Sequence, residues 1–194
     1  MDTVDPDALD RADMARLAEG HAAALNDLMG RHATKVFQFL HRMLGNEDDA
    51  NDLAQETFVR VFQNCTRFRN EARFSTWLHT IAGNLARNRH RWRARHPNVP
   101  LDAPGEHGGP SLGEALPAAG SSPGEAAVNA ERSAAVQRAV ETLPNDLREA
   151  IILCEWEELP VAEAAAVLQT TPKAVESRLY RARQRLREQL ARWL

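Results

Sequence analysis

TPKAVESRLYRARQRLREQLARWL, residues 171–194, closes the chain and reads as a single helix. Thr171 supplies an N-cap oxygen, and Pro172 takes the first helical position, where a missing N–H costs nothing. Val175, Leu179, Ala182, Leu186, Leu190 and Trp193 recur at spacings of three and four, which marks a core-facing stripe. The remaining surface is basic: Lys173, Arg178, Arg181, Arg183, Arg185, Arg187 and Arg192. Just upstream, VAEAAAVL (161–168) makes a short amphipathic helix, joined to the last one by Gln169, Thr170 and Thr171. Two helices across a short turn, the second basic, have the form of a helix-turn-helix that inserts its second helix into a DNA major groove. A surface hairpin with solvated charges would share the stripe, but the positive charge here is too one-sided for a merely solvated face.

The net charge of −3 conceals a segmented distribution. Residues 1–63 carry 6 basic and 12 acidic side chains, whereas 64–96 carry 8 basic and 1 acidic. Residues 97–130 have 4 acidic side chains and no basic one; 131–172 have 3 basic and 8 acidic, and 173–194 have 7 basic and 2 acidic. Two compact basic blocks in an otherwise acidic chain imply two separate polyanion contacts. Cys65 and Cys154 are too few and too far apart for a disulfide scaffold and read as thiols in a reducing compartment. The acidic start is unlike a signal peptide, and no apolar run approaches the roughly twenty residues that cross a bilayer. The expectation is a soluble, cytoplasmic protein with no membrane insertion.

Hydrophobic periodicity is helical throughout, and no stretch alternates as a strand. His21 to Leu44 carries Leu25, Leu28, Met29, His32, Val36, Phe39, Leu40 and Met43 on one face, and Gly45 stops it. Asn46 and the acidic residues after it open a helix to about Asn64, expected to bury Ala50, Leu53, Ala54, Thr57, Phe58, Val61 and Phe62. After the loop 67–73, a helix from Ser75 to about Arg95 has Trp77, Leu78, Ile81, Ala82 and Leu85 as its stripe. Six prolines, six glycines and three serines then fall between Pro97 and Gly124, the composition of a linker. The 34 residues of 97–130 would span roughly 30 Å as a coil and at most about 110 Å extended. Helices at 134–143 and 146–157 lead into the helix-turn-helix. The expected fold is all-α: two small helical domains, 15–96 and 131–194, joined by a flexible acidic linker over 97–130.

Catalysis finds little support, and no cofactor or metal is expected. The chain lacks a phosphate-cradling glycine loop, a G-x-G-x-x-G after a strand and an H-E-x-x-H. Its histidines are not at metal-ligand spacing, and His32, on an apolar face, reads as a core or boundary residue. The first basic block says more. Arg87, Arg89, Arg91, Arg93 and Arg95 crowd one helix C-terminus with His90, Trp92 and His96. The helix dipole accounts for part of this density and phosphate contact for the rest, with His79 adding to the same surface. Phe68, Phe74 and Trp77 offer rings for stacking unpaired bases, although each ring alone also fits a core. Asn84 and Asn88, one turn apart, suit base-edge contacts.

These residues carry a family resemblance. DLAQETFVRVF (52–62), Arg67-Phe68-Arg69 and FSTWL (74–78) resemble region 2 of bacterial sigma factors; LPNDLR (143–148) and VESRLYRAR (175–183) resemble region 4. With only these two regions and a short linker, the chain resembles an extracytoplasmic-function (group IV) sigma factor of the sigma-70 family. The resemblance implies a protein that binds core RNA polymerase, through the largest-subunit clamp helices and the flap, and directs initiation at promoter DNA. It implies that Asp52, Gln55 and Glu56 dock on the clamp helices. It implies that Arg67, Phe68, Arg73, Asn84, Arg87 and Asn88 capture the melted minus-ten strand. Lys173, Glu176, Ser177, Tyr180, Arg181 and Arg183 would read the minus-thirty-five element, and an anti-sigma factor would regulate the whole. Glu176 departs from the pattern, since such proteins often carry a basic residue there; a carboxylate repels phosphate but accepts from cytosine N4. The alternative is a helix-turn-helix regulator whose N-terminal helical domain senses a ligand or dimerises. That reading leaves the 52–62 and 67–78 patterns without a task.

Overall fold

The computed structural model describes residues 5–69, 71–96 and 123–191, with side chains from residue 131 onward in the last stretch. Every regular element among them is helical: α1 (Pro6–Ala18), α2 (Ala24–Leu44), α3 (Glu47–Gln63), a 3-10 turn (Cys65–Arg67), α4 (Phe74–Arg95), α5 (Pro123–Glu141), α6 (Asn145–Glu155), α7 (Val161–Val167) and α8 (Pro172–Gln189). The expected all-α architecture is therefore what forms. The start of α5 at Pro123 lies inside the stretch read as linker, and Arg192 and Trp193 lie outside the described residues.

The helix ends follow local chemistry. Gly45 closes α2 in the left-handed region at φ 65°, where a side chain would be strained. The Asn46 side chain accepts from the Asp49 N–H at 2.8 Å and opens α3, beside three acidic residues that suit the positive helix end. Thr171 caps α8 by accepting from the Ala174 N–H at 3.2 Å, with Pro172 behind it. Between α7 and α8, Gln169 takes φ 52° and lets the Thr170 N–H return to the Ala165 carbonyl at 2.9 Å. This backbone reversal fixes the angle at which α8 leaves α7.

Helix α1 has no apolar stripe, and periodicity offers no signal for it. It buries two carboxylates beside Met14 and Leu17. Asp10 accepts from Arg31 Nε at 2.9 Å and His32 Nε2 at 2.8 Å, and Asp13 accepts from Arg31 and Arg16. His32 meets the Phe74 ring edge-on at 5.1 Å, so it is the boundary residue that its apolar face implied.

One continuous hydrophobic cluster runs from Met14 in α1 to Ala182 in α8. The α1–α4 half packs α2 and α4 against α6 and α7 of the α5–α8 half. Arg148 ties the junction: it donates to the Val140 carbonyl at 3.2 Å, to Leu143 at 3.1 Å, to Glu141, and across the boundary to Met43 at 2.8 Å. Phe62 departs from expectation. It is 48% exposed, because it lies one residue beyond the buried Phe58 and Val61 ridge and so turns outward.

Burial alone raises the Asp10 carboxyl, but the hydrogen bonds and charges of His32 and Arg31 together outweigh it, and the group settles below its ordinary 3.8. A depressed folded-state value gives stabilisation that is complete above the unfolded value and is lost as pH falls through the folded one. Asp10→Asn should cost roughly 2 kcal/mol near neutrality, less than the about 3–5 kcal/mol of a fully buried pair because water reaches Arg31. Thermal melts taken from about pH 7 to about pH 3 should show a shallower acid-side decline in the variant.

Candidate nucleic-acid interface

Three surfaces collect the residues singled out in the sequence. On α8, Lys173, Glu176, Ser177, Tyr180, Arg181 and Arg183 are all exposed, because Val175, Leu179 and Ala182 turn the opposite face inward. Tyr180 is 64% exposed and its hydroxyl accepts from the Gln184 amide at 2.9 Å. Arg183 is engaged by Glu155 of α6, and Arg178 leans toward Asp146 at 3.8 Å with only 24% of its side chain exposed. Arg178 thus belongs to the packing side of the basic face, while Lys173 and Arg181 stand clear of carboxylates among the described residues. Glu176 sits among them as an exposed acid.

The second surface is the outer face of α3. Asp52 and Gln55 are exposed and Glu56 is half-buried, accepting from Arg60 Nε at 2.8 Å. Val59, 46% exposed, and Phe62 continue the same face. Two solvent-facing apolar side chains beside this polar trio give the face a mixed polar and apolar character. Sequence periodicity assigned Phe62 to the core; its place in register with Gln55 and Val59 was the available signal.

The third surface surrounds α4. Asn84 and Arg87 lie on its side toward α6, where Asn84 Oδ1 accepts from Arg87 at 2.7 Å. Arg73 stands at its N-terminus, and Arg67 and Phe68 sit on the 3-10 turn. Asn88, one turn on from Asn84, lines an open cleft of about 800 Å³ shared with Leu53, Arg60, Arg89, Trp92 and Arg95. The rings divide: Phe74 is core, while Phe68 and Trp77, 5.4 Å apart, remain half-buried at its edge.

The arginine block does more structural work than its density suggested. Arg89 and Arg93 both donate to Asp49, a buried carboxylate at the start of α3, and Arg87 is paired with Glu149. Arg91 and Arg95 are the exposed members. The histidines follow suit. His79 is buried, with its Nδ1 proton on the Ser75 carbonyl, and His90 donates from Nε2 to the Met43 carbonyl at 3.0 Å. Burial pushes the His90 imidazole down, so it is neutral rather than phosphate-facing, and His96, stacked on Trp92, is the exposed one. No group of histidine, cysteine and acidic side chains fit to hold a metal occurs among the described residues.

Residues 28–96 match the model of Sigma-70 region 2, and residues 133–186 match that of Sigma-70, region 4. The chain is 34% identical over 176 residues to the extracytoplasmic-function RNA polymerase sigma factor SigW of Bacillus subtilis, covering 90% of this chain and 93% of that one. It is also 34% identical over 180 residues to the sigma factor SigE of Mycolicibacterium smegmatis, covering 90% of this chain and 66% of that longer relative. Among solved structures, CnrH in complex with the cytosolic domain of CnrY is similar at a TM-score of 0.66 and 28% identity, over 94% of this chain and 97% of that one. The chain belongs to the sigma-70 family, as an extracytoplasmic-function sigma factor. It is an initiation specificity factor rather than an enzyme.

The two faces of α3 differ in what they support. Phe58, 3% exposed, should cost about 3–5 kcal/mol on replacement by alanine. Phe62→Ser should leave stability within about 0.5 kcal/mol. Urea unfolding of the two variants checks the contrast.

Proposed function

We propose that this sigma factor binds core RNA polymerase through α3 and holds a promoter at two points, with α4 and the 67–73 loop on the minus-ten strand and α8 on the minus-thirty-five duplex. The observation that carries the reading is the presence of two matched regions in one chain, each presenting an outward face whose chemistry fits its partner. Asp52, Gln55 and Glu56, extended by Val59 and Phe62, offer polar and apolar contacts for the clamp helices of the largest subunit. Arg67, Phe68, Arg73, Asn84, Arg87 and Asn88 supply phosphate donors, a stacking ring and amide groups for bases taken out of the duplex. The amides read base edges while arginines neutralise the backbone.

The exposed side of α8 presents Lys173, Glu176, Ser177, Tyr180, Arg181 and Arg183 to a major groove. Lys173 and Arg181 suit phosphate or guanine. Glu176, unable to face phosphate without repulsion, suits the cytosine amino group. The domain carrying α8 docks on the polymerase flap, and the acidic stretch 97–130, without lysine or arginine, suits passage through a basic channel. The domains so defined are 15–96 and 131–194. The similarity to CnrH, solved with the cytosolic domain of CnrY, supports regulation by an anti-sigma partner. No described helix is long and apolar enough to cross a membrane, which fits a cytoplasmic site of action.

Run-off transcription with purified core polymerase tests the reading: adding the chain should make core initiate at a cognate promoter, and a conventional regulator would not. Glu56→Lys should reduce holoenzyme formation on a native gel without loss of helicity, since its side chain lies at the surface. Arg181→Ala should weaken binding to minus-thirty-five duplex by roughly 1–3 kcal/mol if the guanidinium grips guanine. Equal affinity and equal sequence preference would remove Arg181 from the reading set.

A further inference from the structure

A cavity of about 460 Å³ opens between α2, α5 and the end of α6. None of its lining residues belongs to the sets placed above on polymerase or DNA. Its wall is apolar, with Phe37 and Val140 buried and Val136 and Trp156 half-buried. Three basic side chains reach it: His41 and Arg42 from α2, and Arg132 from α5. No acidic side chain lines it among the described residues. That balance runs against the local composition, since residues 131–172 carry 3 basic and 8 acidic side chains. An apolar cleft of about 300–1,000 Å³ with a few convergent polar groups is the usual form of a small-molecule site.

Arg42 is the informative member. Its guanidinium lies over the Trp156 ring at 5.7 Å, and the Glu157 carboxylate is 3.6 Å away, beyond hydrogen-bond reach. Glu157 also faces His79 at 3.3 Å, so its one charge is divided between two partners. Among the described residues the Arg42 guanidinium makes no hydrogen bond. Arg31, Arg87, Arg89 and Arg93, exposed to a similar degree, each donate to a carboxylate. Burial pulls the Arg42 guanidinium down, and Glu157 restores it only in part. A guanidinium stacked on an indole keeps its in-plane N–H groups free to fork onto an oxyanion. The His41 ring, stacked on Phe37 at 5.9 Å, also lacks a hydrogen-bond partner among the described residues, and Arg132 stands exposed at the mouth without a carboxylate partner there.

We propose that this cavity binds a small planar anion, an aromatic ring carrying a carboxylate or a phosphate, with its oxyanion on Arg42 and Arg132 and its ring against Phe37, Val136 and Val140. Carboxylate and phosphate share the paired oxygens that a guanidinium grips in parallel, so both fit the same donors. A neutral arene would fill the apolar wall and leave Arg42 unmatched. A cation would meet two arginines. An inorganic anion would satisfy the arginines and leave the wall in water. The ligand would touch α2 and α5 together and stabilise the folded chain by mass action. The site is independent of the sigma-factor reading, because its chemistry uses none of the residues on which that reading rests.

Isothermal titration calorimetry on the full chain at low salt tests the site with three probes: 2-naphthoate, 2-naphthyl phosphate and the neutral 2-naphthalenemethanol. At least one anion should bind at a single saturable site, about tenfold more tightly than the neutral probe, and should raise the melting temperature. The tighter of the two anions identifies the oxyanion that the site prefers. Arg42→Gln should weaken anion binding about tenfold and leave the neutral probe unaffected. Arg132→Gln, at an exposed position that folding does not need, should weaken the same anions. Val136→Trp fills the cavity without touching its charges and should abolish binding of all three. Equal affinity for the neutral probe and the anions overturns the oxyanion site. Absence of saturable anion binding, or anion binding that persists unchanged in Arg132→Gln and Val136→Trp, overturns the cavity as a ligand site. Run-off transcription by the wild-type chain reports on the sigma-factor reading separately.

Discussion

The charge-polarised seam between the two helical halves is the interaction on which the rest of this arrangement depends. Glu149, Glu157 and Glu163 project from α6, α7 and the turn between them onto Arg87, Arg42 with His79, and Arg73. Arg148 crosses in the other direction, but to the Met43 carbonyl rather than to a charge. Apolar burial brings the halves together and is indifferent to register. The ion pairs across the seam are directional and discriminate among packings of similar apolar area. The relative orientation of the halves then determines which faces of α3, α4 and α8 remain outward.

Within that arrangement the arginines of α4 divide their labour. Arg89 and Arg93 converge on Asp49 and anchor α4 to the start of α3. Such a pairing holds a long basic helix against its neighbour without leaving a buried carboxylate unmatched. Arg91 and Arg95 stay in solvent, and Asn88 with Trp92 lines the cleft beside them. A run of arginines that looks uniform in sequence therefore contains two anchors to Asp49, a partner of Glu149 and two exposed cations.

The α8 helix illustrates a different economy. Its apolar stripe is short, with Val175, Leu179 and Ala182 buried and Leu186 and Leu190 half-buried. Three small-to-medium side chains suffice because α6 and α7 both cover them, leaving most of the circumference to face a ligand. Arg178 and Arg183 are drawn to Asp146 and Glu155, so the surface that stays available is narrower than the charge count suggests. Glu176 remains on that surface as an acid among its bases.

The amino-acid sequence by itself determined the all-helical class, the helix-turn-helix and its caps, the outward placement of the α3 trio and of the α8 set, and the family. Those features are written in local rules: periodicity, the capping chemistry of Asn46 and Thr171, the left-handed stop at Gly45, and motif spacing. Helix α1 escaped because its inward face carries Asp10 and Asp13, which periodicity counts as polar and only Arg31 and His32 make burial possible. Apolar character alone points Phe62 inward, whereas the neighbouring helices cover only the Phe58 and Val61 ridge. The roles of Arg73, Arg87, Arg89 and Arg93 were decided by tertiary structure alone. Their partners lie about 40 to 90 residues away along the chain, and which carboxylate meets which guanidinium depends on how whole helices pack.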